Sequence, residues 1–380
     1  MKSGRETTCY NPLSMRWVLV CALLLCGCHK MPPPRTLHIQ VAAGPELRQQ
    51  ADWRDRVAGR IRAASAMFRP LNLQFEMAGA SEWTPDPKLP PEMNRWMLGG
   101  FHTSGDWIAL GLHGSAQPGA EPGLAVPFDA RVLVYDIPGG NEERNATAMA
   151  HELAHVLGAW HSQQSGSLMS LPPGSKLDDT ALSCLRLTRA LDLRQGAAGL
   201  DAETVTRLQK VWTASKADPS TNPFYRFYSS VGAEAYRRGV RPEAEEDFIK
   251  AASFGPDVAR AHLDLANAEM ANREYLEAVD EYRKASKLDP RSSAALSGLA
   301  AALLGSGQRQ EAMQALSTGL QMNPGDAAAH ANMGVVLVGT PGRLDDGIAE
   351  LREALRISPN SEQIKRSLDA ALEARSKGRK

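Results

Sequence analysis

The stretch HELAHVLGAWHSQQSGSLM, residues 151–169, gathers three histidines and a glutamate around one glycine. On a helix, His151 and His155 lie four residues apart and about 40° from alignment, so both imidazoles leave one face and can share an ion. Glu152 is next to the first of them; it cannot reach the same coordination position but can hold a water bound to that ion. Gly158 supplies the positive-φ conformation that ends such a helix, and the reversed chain returns His161 as a third ligand. Three neutral imidazoles leave a fourth position open, which marks a catalytic rather than a structural zinc site. Because imidazole binds uncharged, the metal keeps its full positive charge. The chemistry this predicts is peptide hydrolysis: Zn2+ lowers the pKa of a water towards ~7 and polarises a carbonyl, while Glu152 acts as general base and passes the proton to the leaving amine.

Such a site needs elements to hold it. TLHIQVAA alternates as a strand, residues 45–68 carry helical periodicity, and LNLQFEMA returns to strand. Residues 84–105 are rich in Pro and Gly and read as loop; DWIALGLHG and ARVLVYD give two more strands. GLAVPF, residues 123–128, reads as the edge strand to which an extended substrate adds, since Pro127 suits an edge and not a centre. Asn145 reads as the N-cap of the motif helix, Arg131 and Asp136 as solvent-facing, and Cys184 as a buried thiol on an amphipathic helix. His102, Asp106 and His113, in a Gly-rich loop, leave open a second metal site beside a solvated or packed role. His38, His262 and His330 show no ligand spacing.

The second half differs in kind. Prolines at 256, 290, 324 and 359 each close a similar phrase, a period that implies stacked helix pairs. Small residues fall at the expected crossing positions (Gly232, Ala266, Ala300, Gly334), then Ala244, Ala278, Ala312 and Gly347 open the second helices. Phe248, Tyr282, Leu316 and Leu351 fill the grooves. The pattern resembles tetratricopeptide repeats; His262, His330 and Glu269 depart from it, and the one extra residue falls in the VGTPGR turn. The composition of ADPSTNP, residues 217–223, reads as a short linker.

With 43 basic and 43 acidic residues, no overall field favours nucleic acid. At the N-terminus, MRWVLVCALLLCGCHK sets Arg16 before an apolar run too short to span a bilayer but suited to a secretory signal. LCGC resembles a bacterial lipobox, with Cys28 as the lipidated residue; a signal peptide cut elsewhere is the alternative. Translation from Met15 is equally consistent with the sequence. The expected organisation is a signal peptide with lipobox over 1–27, a spacer over 28–36, a zinc protease domain over 37–217, four repeats over 218–360 and a C-terminal capping helix over 361–380.

HELAHVLGAWH matches HExxHxxGxxH throughout and resembles the metzincin metalloproteases; SGSLM resembles their Met-turn, and Ser162 and KLDDTALSCLRL are matrixin-like. The resemblance implies an α+β domain with a mixed twisted sheet and an active-site helix, followed here by the all-α repeat solenoid. It implies His151, His155 and His161 as Zn2+ ligands, Glu152 as the catalytic residue, and Met169 as the floor under the metal. SLPPG lacks the Pro-x-Tyr wall of matrixins and no tyrosine stands just beyond Met169, so the specificity pocket is not carried over. The expectation is an exported zinc endopeptidase, lipid-anchored in the bacterial envelope, at the outer membrane facing periplasm or surface. Its repeats would recruit a protein substrate or partner. The alternatives are a vestigial protease domain serving as a repeat scaffold, or a zinc hydrolase of a peptidoglycan peptide. A fragment cut near 217 is expected to keep its zinc, with the repeats acting through a short tether.

Overall fold

The structure, a computed structural model, describes residues 32–101, 106–115 and 123–377. The leader, the lipobox with Cys28, and His102 lie outside the described residues. Among the described residues no helix is long and apolar enough to cross a membrane.

Strand β1 (Arg35–Ala43) buries Leu37, Ile39 and Val41 on one face, as its alternation requires. Helix α1 (Trp53–Ala66) then crosses over to β2 (Leu73–Glu82), which pairs with β1 in parallel. Helix α2 (Pro91–Met97) lies where the sequence reads as loop. Pro91 occupies its first position, where a missing N–H costs nothing, so the proline that signals loop also starts a helix. Strands β3 (Trp107–Ser115), β4 (Gly123–Ala125) and β5 (Arg131–Asp136) complete one sheet of order β2-β1-β3-β5-β4. Its pairings are parallel except that of β4, the edge strand, which is antiparallel to β5.

Helix α3 (Glu142–Val156) follows β5 and carries the histidine motif. Its N-cap is Asn141, whose side chain accepts from the Arg144 N–H at 2.9 Å, one turn before the expected Asn145. Asn145 is buried instead, and its Oδ1 accepts from Ile137 N at 3.0 Å, tying the helix to the loop that precedes it. Both asparagines fit the cap pattern; only packing separates them. Arg131 and Asp136 are not solvent-facing spectators either. Arg60, buried, pairs with Asp136 at 2.6 Å and with Glu142, clamping α1 to β5 and to the start of α3. Arg131 and Arg95 both bind the buried Asp129 at 2.7 Å. Burial alone would raise the Asp129 carboxyl, but the Arg95 charge and the Arg131 hydrogen bond hold it well below the usual carboxylate range.

Helices α4 (Asp179–Thr188) and α5 (Ala202–Ser215) close the sheet half. Cys184 on α4 is fully buried and burial pushes its thiol up, which makes it an inert core residue. Four helix pairs follow: α6 (Pro223–Arg237) with α7 (Arg241–Phe254), α8 (Ala259–Asn272) with α9 (Tyr275–Leu288), α10 (Ser293–Gly305) with α11 (Arg309–Met322), and α12 (Ala327–Val338) with α13 (Leu344–Ile357). A last helix, α14 (Glu362–Lys377), covers α13. The crossing positions are tight as the repeat pattern demands: a Cβ on Gly334 would lie 2.6 Å from Leu351, and one on Gly232 3.0 Å from Phe248. The extra residue of the fourth repeat falls in the turn between α12 and α13, where Gly342 takes φ +76°.

The two histidines that depart from the repeat pattern do the same thing twice. His262 meets Glu281 at 2.6 Å through Nδ1 and the Pro256 carbonyl at 3.0 Å through Nε2; His330 does so with Glu350 and Pro324 at the same distances. Each ring faces two acceptors, so each satisfies both only as imidazolium. The Glu281 hydrogen bond raises the His262 pKa; at His330 burial opposes, and the Glu350 bond prevails. Glu269 is pushed up to about 8, by burial and then by the charges of Glu281, Glu245, Glu274 and Glu277. All three groups bind more protons folded than unfolded, so the stability they give is present at low pH and lost as pH rises: from about 4.5 to 8 for Glu269, and above about 6.5 for the histidines. Thermal unfolding followed by circular dichroism should therefore show the repeats melting a few °C lower at pH 8.5 than at pH 6. Glu269→Gln should flatten that profile; a profile unchanged by it would refute the assignment.

ADPSTNP is not a flexible tether. Asp218 caps a 3-10 turn at Pro219–Thr221. Asn222, fully buried, caps α6 through the N–H groups of Phe224 and Tyr225 and reaches Gln209 on α5. The apolar core of the sheet half runs across this point, taking in Phe224 and Phe227 of α6 with Tyr228 and Phe254 packed beside them.

Candidate metal centre

Helix α3 ends at Val156, and Gly158 takes φ +88° as the sequence requires of it. A Cβ there would lie 2.2 Å from the Phe128 ring, so the turn needs glycine for space as well as for φ. The chain then returns His161 to the helix. Nε2 of His155 lies 3.1 Å from that of His151 and 3.2 Å from that of His161. Among the described residues these three form the one group of its kind able to hold a metal, with ligand atoms all within 4.8 Å of one another.

The donor chemistry fits a cation. His151 Nδ1 lies 2.7 Å from the Leu168 carbonyl and His155 Nδ1 2.7 Å from the Ala159 carbonyl. A carbonyl only accepts, so each Nδ1 carries the hydrogen and each neutral ring turns an Nε2 lone pair inward. Lone pairs 3.1 Å apart cannot hydrogen-bond to one another, and a shared cation would reconcile them. Added protons are disfavoured: burial, then the charges of His151, Arg226 and His161, lower the His155 pKa well below its ordinary value, and burial with Arg226 lowers that of His161. Divalent zinc suits three neutral nitrogens with a fourth position open.

Glu152 is buried beside His151 and lies against the first residue of β4: a Cβ on Gly123 would be 2.5 Å from its Cγ and 2.8 Å from Oε1. The carboxylate is thus placed at the edge strand. Met169 is fully buried; its carbonyl accepts from Ser162 N at 2.8 Å, next to His161, and the preceding Leu168 supplies the carbonyl that orients His151. Ser167 opens this turn and donates to Asp178 at 2.6 Å, while Asp178 also caps α4 through Ala181 N. Of the possible second metal site, Asp106 pairs with Arg35 at 2.6 Å, and His113 accepts from Gly114 N and packs near Tyr135.

Sequence reasoning found the three histidines, Glu152 and Met169 but missed the carbonyls of Leu168 and Ala159, the contact of Gly123 with Glu152, and Arg226. Backbone carbonyls have no sequence signal. Gly123 had one, a glycine opening a strand, which marks close approach of another group. Arg226 comes from α6, beyond the expected domain boundary; its Nη2 lies 3.5 Å from the Ala125 carbonyl of β4.

Comparison with known proteins bears on the C-terminal half. Family models described as tetratricopeptide repeat match residues 232–293, 269–332 and 303–372, and this half is a tetratricopeptide-repeat solenoid, an architecture that binds proteins or peptides. Similar solved structures include MamA from Desulfovibrio magneticus RS-1 (22% identity, 40% of this chain and 92% of that one, TM-score 0.35). Pseudomonas aeruginosa pilF is another (24%, 40% and 70%, TM-score 0.37). A third is YrrB, described as a TPR protein with an unusual peptide-binding site (18%, 39% and 76%, TM-score 0.34). No curated protein matches the chain.

Proposed function

We propose that the sheet half is a zinc-dependent endopeptidase of the metzincin type and that the repeats bind its protein substrate or a partner protein. One observation carries the reading: two imidazoles locked by backbone carbonyls turn unprotonated nitrogens towards a third, with a buried glutamate next in sequence at the sheet edge. Zinc held there would supply Lewis acidity and a water acidic enough to lose a proton near neutral pH. The residues of this chain do the rest. An extended substrate adds along β4, which fixes the scissile carbonyl beside α3. Glu152 takes the proton from the attacking water and returns it to the amine as the C–N bond breaks. Met169, fully buried and bonded through its carbonyl to Ser162 N beside His161, closes one side of the site to water.

A second reading, a repeat scaffold whose sheet half no longer hydrolyses, draws on the repeat matches, which all fall within residues 232–372. Zinc-loaded protein on casein and on muropeptides, with and without chelator, separates the possibilities. Chelator-sensitive cleavage of casein supports the endopeptidase, cleavage of muropeptides alone makes it a peptidoglycan hydrolase, and inertness towards both favours the scaffold.

Gly123→Ala tests the placement of Glu152. The added methyl must displace the Glu152 side chain, so activity should fall roughly 10- to 100-fold with zinc content unchanged. Unaltered turnover would remove Glu152 from the position assigned to it.

The lipid anchor on Cys28 and location in the bacterial envelope belong to the same proposal, resting on the LCGC segment. Membrane fractionation of Cys28→Ser should find the protein released; retention at the membrane would count against lipid as the anchor.

A further inference from the structure

Phe128 joins the turn that follows the histidine helix to the first repeat helix. Phe128 is fully buried and has φ +64°, a conformation that bulky residues rarely adopt. Its N–H donates to the Val156 carbonyl at 3.0 Å, at the last residue of α3 and one position after His155. Its ring covers Gly158, where the chain turns back towards His161 and towards the Ala159 carbonyl that orients His155. On its other side the ring lies 5.3 Å from Phe224 and 6.2 Å from Phe227, both on α6. Phe227 in turn fits against Gly196, where a Cβ would lie 2.4 Å from its ring. Phe224 is stacked at 4.8 Å on Phe254 of α7, so the contact reaches into the first repeat pair. Either side of it, the Arg95–Asp129–Arg131 cluster joins the Phe128 loop to α6 through Ser230 at 3.2 Å and Glu234 at 3.1 Å.

We infer that Phe128 is a positioning residue through which α6 holds the Gly158 turn, so that the repeat domain sets the affinity of the metal centre. The inference rests on the proposed zinc site. The physical reason is that a bulky residue stays at positive φ only where its surroundings over-determine it. Here those surroundings come from both halves. Thr188 and Cys184 of α4 hold the Leu157 and Gly158 carbonyls from one side, at 2.6 and 3.2 Å; if α6 shifts or loses an aromatic, the Phe128 side of the turn relaxes, and the third imidazole and the carbonyl of Ala159 lose part of their placement together. Groups that orient metal ligands from behind commonly matter 10- to 100-fold to affinity. A partner that moves α6 would thereby tune zinc occupancy from the repeats, about which no ligand residue need know.

The test uses the full chain and the metal alone. Zinc affinity of wild type, Phe227→Ala, Phe227→Leu and Phe75→Ala is measured by competition with a chromogenic chelator. The visible spectrum of each cobalt-loaded protein and its apo melting temperature are recorded alongside. Phe75 sits in the same core, on β2, packed edge-on against Phe68 at 4.9 Å and outside this contact. Phe227→Ala should bind zinc roughly tenfold more weakly and shift the cobalt spectrum, with Phe227→Leu between it and wild type. Phe75→Ala should lower the melting temperature and leave affinity and spectrum alone. Should Phe227→Ala fail to fold, Phe227→Leu carries the comparison, and an affinity equal to wild type overturns the inference. Equal losses in Phe227 and Phe75 variants also overturn it, because general destabilisation would then suffice. A wild type that binds no zinc would instead defeat the proposed function beneath it.

Discussion

Glu152→Gln protein is expected to keep one zinc per chain and to lose peptide hydrolysis by roughly 10²- to 10⁴-fold, the range a positioned general base supplies. His155→Ala protein is expected to lose both. The contrast follows from the geometry: Nε2 of His155 stands between those of His151 and His161, at 3.1 and 3.2 Å, so deleting it breaks the donor set at its centre. Glu152 is absent from that donor set, and its carboxylate lies instead against Gly123 at the sheet edge. Glutamine keeps the shape and the packing and removes only the capacity to take a proton. Metal analysis by mass spectrometry beside a peptide assay reads both quantities. An empty site in Glu152→Gln, or an active His155→Ala, would show that the roles are wrongly divided.

A chain ending at Ala217 is expected not to yield a stable, zinc-binding protease domain, contrary to what the sequence suggests. The cut removes Phe224 and Phe227 from the core of the sheet half and leaves Phe128 facing water. Losing a buried phenylalanine costs about 3–5 kcal/mol, so losing two is comparable to the whole stability of a typical domain, about 5–15 kcal/mol. Glu234 leaves as well, so Arg131 keeps only Asp129, which it shares with Arg95. A chain ending at Asp257 retains α6 and α7, with Phe254 still stacked on Phe224, and should recover soluble protein and zinc binding. Soluble yield, near-ultraviolet circular dichroism and zinc stoichiometry of the two fragments decide the matter. A folded, zinc-loaded fragment ending at Ala217 would mean that the shared core is dispensable and the repeats a true appendage.

Much of the site was legible because it is local. His151, Glu152 and His155 are set by helix periodicity, Gly158 by its need for positive φ, and His161 by the return that follows; each constraint spans a few residues. The repeats were legible for a related reason, since each helix pair must bury the same face against the next and so repeats its small and bulky positions. What was misread is non-local. Asn145 and Asn141 carry the same cap chemistry, and only the packing of the preceding loop makes one the cap and the other a buried acceptor. Arg131 reads as solvent-facing at the end of a strand until Asp129, Arg95 and Glu234 are brought around it from other elements.

By itself the sequence determined the meeting of the three histidines, the neighbouring carboxylate, the strand-helix-strand beginning and the period of the solenoid, because hydrogen-bond geometry and side-chain period act along the chain at short range. Only the tertiary structure decided which carbonyls fix the imidazole tautomers, that Glu152 rests on the edge strand at Gly123, and that the first repeat helix shares a core with the metal turn through Phe128. Those depend on which surfaces are pressed together after the elements form. A linker's composition says how freely its backbone could move, but buried aromatics on either side decide whether it does.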